Sequence, residues 1–289
     1  MSPHAGKTLV AALGFALAAA RLAATGHGPV YGLATPTLGQ GLWSLDVAAM
    51  GRSGGEGEMA MARPMLGYGL TEDLQVSVSL PVPLYHDPGV PPSRMMAMMP
   101  GVPDTEILLG WRFHRQALDV GARFESTAYL GLEYPTDTVR AGVRTAPGIL
   151  GGLVTGYASR SHYAWAGAQY QRSMSPRGGD HTGDMAVWSL VYGYRPQRFR
   201  AELPHADWRW FVELVGEYRG RDEIAGRALA DTGGHEVFLG PTVLGLFGPW
   251  GISGGPLFPV HSDLNGTQPE EDYRLVVNFT YWFIPRSTP

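Results

Sequence analysis

Apolar and polar residues alternate strictly over the stretch LQVSVSLPV, residues 74–82. Val76 and Val78 fall on one face of the stretch, and Gln75, Ser77 and Ser79 on the other. Because a period of two is the signature of a β-strand, this pattern predicts a strand. Similar segments predict twelve strands in all, near residues 42–51, 60–70, 74–82, 105–115, 118–133, 146–158, 161–172, 184–195, 207–219, 235–246, 250–258 and 272–283.

The connections between these segments distinguish a membrane barrel from a soluble sheet, since both produce alternation. Short links, as at 71–73 and 248–249, mostly take turns with long ones, as at 83–104 and 134–145; the link 196–206 is the exception. An even number of strands with short turns at one end is typical of outer-membrane barrels. We therefore predict an all-β fold, a single antiparallel transmembrane β-barrel of about 12 strands over residues 42–283, located in the bacterial outer membrane. A soluble all-β fold stays open as the alternative.

Charged residues collect on one face of the predicted strands. In a barrel whose apolar face meets lipid, that polar face points into the lumen. Such side chains can set the selectivity of a pore, or they can pair with one another and fill the interior. The pore-lining candidates are Arg112, Arg123, Glu125, Glu133, Arg209, Glu213, Glu217, Arg219 and Arg274.

Composition narrows the classes of function. The net charge is −4 and the sequence has no basic stripe, so nucleic acid is not an expected partner. The expected partners are outer-membrane lipid and a small solute. Forty Gly, 23 Pro and abundant aromatic residues fit many turns and strands. The absence of Cys excludes disulfides and thiolate metal sites. The oligomeric state cannot be read from any of these features.

The first residues predict export. Lys7 precedes the apolar run TLVAALGFALAAA, and small residues follow near Ala23 and Ala24. This is the pattern of a secretory signal peptide, too short for a membrane helix. We therefore predict a signal peptide at 1–24, a periplasmic N-terminal segment at 25–41 and a C-terminal tail at 284–289.

Two segments carry a resemblance to a known family. MLGYGLTEDLQVSVSLPV at 65–82 reads as strand, turn and strand, and GPWGISGGPLFPVHSDLNGTQPEEDYRLVVNFTYWF at 248–283 reads as a closing hairpin with an aromatic-rich last strand. Together with the signal peptide they resemble the family of outer-membrane transporters named for the meta-cleavage pathway of phenol degradation. The resemblance implies an outer-membrane β-barrel that passes small, often hydrophobic or aromatic compounds, and it implies no catalytic residues.

A methionine-rich loop offers a different function. Met95, Met96, Met98 and Met99 lie within five positions, with His86 nearby. Thioether ligands suit Cu(I), so a copper-handling protein is the first alternative, with Met59, Met61 and Met65 as further ligands. The same methionines can serve as adaptable apolar packing. No cofactor other than this possible Cu(I) is expected.

An outer-membrane lipid-modifying enzyme is the second alternative. Ser161 and His162 are adjacent, so a strand sends them to opposite faces and prevents a catalytic pair. The sequence contains no H-x-x-x-H pattern. We therefore predict that the protein is not an enzyme.

Overall fold

The computed structural model describes residues 28–55, 57–87, 104–140, 142–175, 179–200 and 205–283. The predicted signal peptide, the methionines at 95–99 and the tail 284–289 lie outside these residues. The strands are β1 Trp43–Gly54, β2 Gly57–Gly69, β3 Leu74–Ser79, β4 Val82–His86, β5 Asp104–Asp119, β6 Ala122–Pro135, β7 Val139–Arg140, β8 Val143–Arg144, β9 Gly148–Ala158, β10 His162–Ser173, β11 Met185–Tyr194, β12 Asp207–Arg219, β13 Glu223–Ile224, β14 Arg227–Ala228, β15 Gly234–Phe247, β16 Trp250–Leu264 and β17 Glu271–Phe283. A single 3-10 turn covers Gln197–Phe199 within the described part of the chain.

The sheet closes on itself, because β1 pairs antiparallel with β2 on one side and with the last strand, β17, on the other. The remaining neighbours follow chain order from β5 through β6, β9, β10, β11, β12, β15 and β16. Strands β3 and β4 both pair with β2 and together form one position of the wall. The fold is thus a closed 12-stranded antiparallel barrel, which confirms the predicted fold class.

Three details of the prediction are wrong. The segment 74–82 is not one continuous strand, since Pro81 has no N–H to donate to a neighbour and the strand is interrupted between Ser79 and Val82. The turn predicted at 116–117 lies instead at Val120 and Gly121, where Gly121 has a φ of 80° that favours glycine. The link predicted at 52–59 is only the short stretch between Gly54 and Gly57.

The two ends of the barrel differ. Short links follow β2, β5, β9 and β15 at one end of the barrel, which we call the short-turn end. The link 195–206 lies at the same end. The opposite, long-loop end carries the links after β4, β6, β10 and β12, which include the two small hairpins β7–β8 and β13–β14. By the rule for outer-membrane barrels, the short-turn end faces the periplasm.

The outer surface of the barrel is apolar. Val78 is 40% exposed, whereas Ser79 beside it is 2% exposed and faces inward, so the opening stretch has the sides that its alternation predicts. Aromatic side chains gather on the outside at the short-turn end, where Trp43 contacts Tyr68 and Trp250 contacts Tyr281, with ring centroids 4.5 and 4.2 Å apart. This arrangement matches the aromatic girdle of a barrel at the membrane interface.

Among the described residues, none forms a helix long and apolar enough to cross a membrane.

Candidate functional site in the barrel lumen

The lumen contains the chain's own N-terminal residues. Residues 28–42, here called the inner segment, belong to no strand and run through the interior to the start of β1, where Gly41 and Leu42 form backbone hydrogen bonds with Gly69 of β2. Thr35, Thr37 and Leu38 are buried there. The predicted placement of 25–41 on the periplasmic side is wrong for its described part. The inward strand faces supply polar partners that satisfy an extended backbone, and no sequence pattern announces such a segment.

One carboxylate binds residues 30–32, near the start of the described inner segment. Glu213 of β12 is 0% exposed, and its Oε1 accepts a hydrogen bond from the Val30 N–H at 2.8 Å. Its Oε2 accepts from the N–H groups of Tyr31 and Gly32 at 2.8 and 2.7 Å. The Thr242 hydroxyl also donates to Oε1. Three consecutive backbone N–H groups around an anion form a nest, and the ionised acceptor makes each bond stronger than a neutral one. We call this arrangement the Glu213 clamp.

Other side chains hold the segment lower down. The Tyr129 hydroxyl donates to the Ala34 carbonyl at 2.5 Å, and the Thr127 hydroxyl donates to the Thr35 carbonyl at 2.6 Å. Nearer the short-turn end, the Leu38 N–H donates to the Gln75 side chain at 2.8 Å. In each of these bonds a backbone group of the inner segment contacts a side chain of the wall. This part of the segment is therefore docked in the barrel without being a strand of its wall.

The predicted pore-lining residues lie on inward strand positions, and most are paired with one another. Seven of the nine are buried: Arg112, Glu125, Glu133, Arg209, Glu213, Glu217 and Arg274. Arg123 and Arg219 remain partly exposed, with ion pairs to Glu125 and Asp222 respectively. Their role in lining a pore stays a prediction, but the pairing alternative describes most of their contacts.

Two ion-pair networks brace the interior. Toward the short-turn end, Arg112 contacts Asp73 at 2.8 Å and Glu125 at 3.1 Å. Toward the long-loop end, Arg274 contacts Glu217 at 2.5 Å and Glu271 at 2.7 Å. The Arg274 guanidinium also lies 3.8 Å from the centroid of the Phe238 ring. The Arg274–Glu217 pair joins β17 to β12, which are not neighbours in the wall, whereas Arg112 and Glu125 lie on the adjacent strands β5 and β6.

Apolar clusters also occupy the lumen, and the sequence reasoning missed them. Toward the short-turn end, Tyr163, Trp165, Phe211 and Trp282 pack inward around Leu38 of the inner segment. A signal existed in the sequence, because stretches such as MAVWSLVY at 185–192 are apolar at nearly every position and not only at alternate ones. The interior is therefore amphipathic, with aromatic surface as well as charge.

The structure describes only some of the candidate copper ligands. Met59 and Met61, offered as further ligands, pack inside the lumen with Met50 and Val276. His86 is exposed at the end of β4. Among the described residues, no group of three or more His, Cys, Asp or Glu could hold a metal ion. The thioether site stays a prediction, because Met95, Met96, Met98 and Met99 lie outside those residues.

Comparisons with known proteins address the class. No protein-family model matches the chain, and no curated protein matches it. Its structure is similar to an outer membrane channel from Pseudomonas putida F1, with a TM-score of 0.60 at 13% identity over 86% of this chain and 98% of that one. It is also similar to the NanC porin, with a TM-score of 0.48 at 11% identity over 81% and 98% of the two chains. LpxR from Salmonella typhimurium gives a TM-score of 0.42 at 11% identity over 83% and 100%.

Closure, the apolar outer surface and the likeness to an outer membrane channel together define the class. The protein is an outer-membrane β-barrel, located in the bacterial outer membrane. At these identities the likeness shows the fold alone. Membership in the family named for the meta-cleavage pathway stays a prediction.

The prediction that the protein is not an enzyme, which was drawn from the absence of catalytic motifs, is corrected, because the similar structures include LpxR, an outer-membrane lipid-modifying enzyme. At a TM-score of 0.42, this likeness does not support an enzymatic activity for the present chain either.

Proposed function

We propose that the protein is a gated outer-membrane channel for small solutes, in which the inner segment is the gate. The observation that carries the proposal is that residues 30–38 lie inside the lumen and are held there by hydrogen bonds to side chains of the wall, whereas backbone bonds to β2 begin only at Gly41. Such bonds can be exchanged for bonds to water one by one, so the segment can move without opening the wall.

We further propose that the solutes are hydrophobic or aromatic. The support is the cluster of Tyr163, Trp165, Phe211 and Trp282 inside the lumen, with the rings of Tyr163 and Trp165 stacked 5.5 Å apart. Aromatic faces attract flat apolar solutes at centroid distances of about 4.5–7 Å. When the segment moves, Leu38 leaves this cluster and exposes the rings to a passing solute.

A disulfide can test the gate, since the chain has no cysteine of its own. A Cβ placed on Gly167 of β10 would lie 3.0 Å from the Cβ of Leu33 in the inner segment. A Gly167→Cys, Leu33→Cys double variant can thus form a bridge with a small adjustment, because bridged Cβ atoms lie about 3.5–4.5 Å apart. The bridge would fasten the segment to the wall.

The influx of a small solute into liposomes that contain the protein is then measured for the oxidised and the reduced double variant. The expected result is slow influx when oxidised and restored influx after reduction. Each single-cysteine variant serves as a control and should not respond to reductant. Equal influx in both states of the double variant would contradict a moving gate.

Specificity is tested with benzoate against cyclohexanecarboxylate, which differ in aromaticity but little in size. A Trp165→Leu variant should lose any preference for benzoate. If the wild-type protein admits both acids equally, the aromatic part of the proposal fails while the gate is unaffected.

A further inference from the structure

Two buried carboxylates face each other on the lumen wall toward the long-loop end. Glu106 of β5 and Glu133 of β6 are directly opposite in the strand register, and both are buried. Like charges at directly opposite positions repel and destabilise a sheet. Asp104 lies on the same face of β5, two residues nearer the long-loop end, and is also buried. This part of the wall therefore carries a concentration of negative charge.

A single guanidinium contacts the pair, and it contacts only one member. Arg63 of β2 donates from Nε and Nη2 to the Ser79 hydroxyl at 3.1 and 2.7 Å. Its Nη2 also lies 3.3 Å from Oε1 of Glu106. Among the described residues, Arg63 is the guanidinium that contacts this pair, so two ionised carboxylates would have one positive charge between them.

That charge falls to Glu133. Its side chain is 1% exposed, and its polar neighbour is the Gln171 amide of β10. Among the described residues, neither carboxylate oxygen forms a hydrogen bond that meets both the distance and the angle criteria. A buried charge without a partner is strongly unfavourable, so a bound counter-ion would stabilise this arrangement.

The Glu133 carboxylate lies directly against a glycine of the neighbouring strand. Gly148 of β9 is its partner across the strand pair, and a Cβ there would lie only 2.7 Å from Oε2 of Glu133. Any larger residue would displace the carboxylate from this position. Leu150, next on the inward face of β9, is fully buried and gives the pocket an apolar side.

We propose that Glu133 and Glu106 form a binding site for one monovalent cation, either the ammonium group of a small organic amine or an alkali ion. Acceptor oxygens without competing donors suit either cation, and one positive charge balances the surplus of the pair. The site extends the proposed function, but cation binding does not require passage and is measured separately from it.

The test uses the refolded full chain in a zwitterionic detergent, with the unfolding midpoint read from heat-modifiable gel migration. Methylammonium chloride, potassium chloride and N-methylglucamine chloride are compared at equal ionic strength. A ligand that binds only the folded state raises the midpoint. We expect methylammonium, potassium or both to raise the wild-type midpoint above that in N-methylglucamine, and the stronger of the two identifies the cation.

Glu133→Gln should abolish the cation-dependent shift. Glu236→Gln is the matched control, because Glu236 is also an inward carboxylate of the long-loop half but has the Ser262 hydroxyl as a partner; it should keep the shift. Gly148→Ala is a second variant that displaces the carboxylate without removing it and should weaken the shift. No cation-specific shift in the wild type, or the same shift in Glu133→Gln, would overturn the proposal. A midpoint that depends on pH but not on the cation would do so as well, since it would indicate a protonated Glu133.

Discussion

The Glu213 clamp gives the most quantitative prediction, for the variant Glu213→Gln. In the wild type, Oε1 accepts from Val30 N–H and the Thr242 hydroxyl, and Oε2 accepts from the N–H groups of Tyr31 and Gly32. Glutamine keeps the size of the side chain but has one acceptor oxygen. Its amide nitrogen is a donor, so one of the two pairs of bonds must be lost.

The magnitude follows from the number of bonds lost. At least one backbone bond to a charged group is lost, which contributes about 1.5–3 kcal/mol, and each backbone bond that remains now goes to a neutral acceptor and weakens by about 1 kcal/mol, so the total is at least about 3 kcal/mol. This free energy separates the docked inner segment from the released one. Since each 1.4 kcal/mol is a factor of ten, the released fraction should rise about 100-fold.

Amide hydrogen exchange measures this ratio directly. Peptides that cover residues 29–38 should exchange about 100-fold faster in Glu213→Gln than in the wild type, while peptides from β12 and β15 keep their protection. Thr242→Val is the matched control, because it removes one hydroxyl and leaves all three backbone bonds. It should accelerate exchange by no more than about 10-fold. Equal exchange in Glu213→Gln and the wild type would show that the clamp does not hold the segment.

Three further predictions concern the wall and its loops. Val78→Arg places a charge on the lipid face and should cost about 2–4 kcal/mol near the bilayer midplane, measured by urea unfolding in liposomes; an unchanged unfolding midpoint would place Val78 outside the membrane. Arg274→Met leaves the buried Glu217 without its cation and should cost about 3–5 kcal/mol in the same assay, whereas a loss below about 1 kcal/mol would show that the pair is well hydrated. In the long loops, the backbone N–H groups of Ala225 and then of Arg144 hold the pKa of Asp180 below its usual value. Protection of the Ala225 amide should therefore be complete above the ordinary aspartate pKa, about 3.8, and fall as the pH drops through the lower folded pKa; Asp180→Asn should remove this pH dependence, and a variant that retains it would assign the effect to another group.

Strand count and facing could be predicted because they depend on local alternation. Ser77 and Val78 lie on the sides that a period of two assigns them. The pairing of β1 with β17 follows from their being the first and last strands of a closed barrel. The break at Pro81 could also have been predicted, since proline has no N–H to donate. The position of the turn at Gly121 was missed because the alternation of Leu118, Val120 and Ala122 continues across it.

The contents of the lumen could not be predicted in the same way. Residues 28–42 show neither period, and their partners Glu213 and Tyr129 lie 181 and 95 residues away from Gly32 and Ala34. Nothing local connects such positions. For the same reason the sequence marked Glu133 and Glu213 as equivalent acids. One of them accepts bonds from four donors and the other, among the described residues, has none within 3.5 Å.

The position of the inner segment immediately before β1 has a consequence for assembly. The segment leads directly into the strand whose pairing with β17 completes the wall, and its clamp is on β12. Contacts between residues so far apart in sequence form late. These N-terminal residues are thus among the last to reach their final surroundings. They lead into β1, the strand that closes the barrel. A mutation that weakens the β1–β17 seam should therefore disturb the lumen and the wall together.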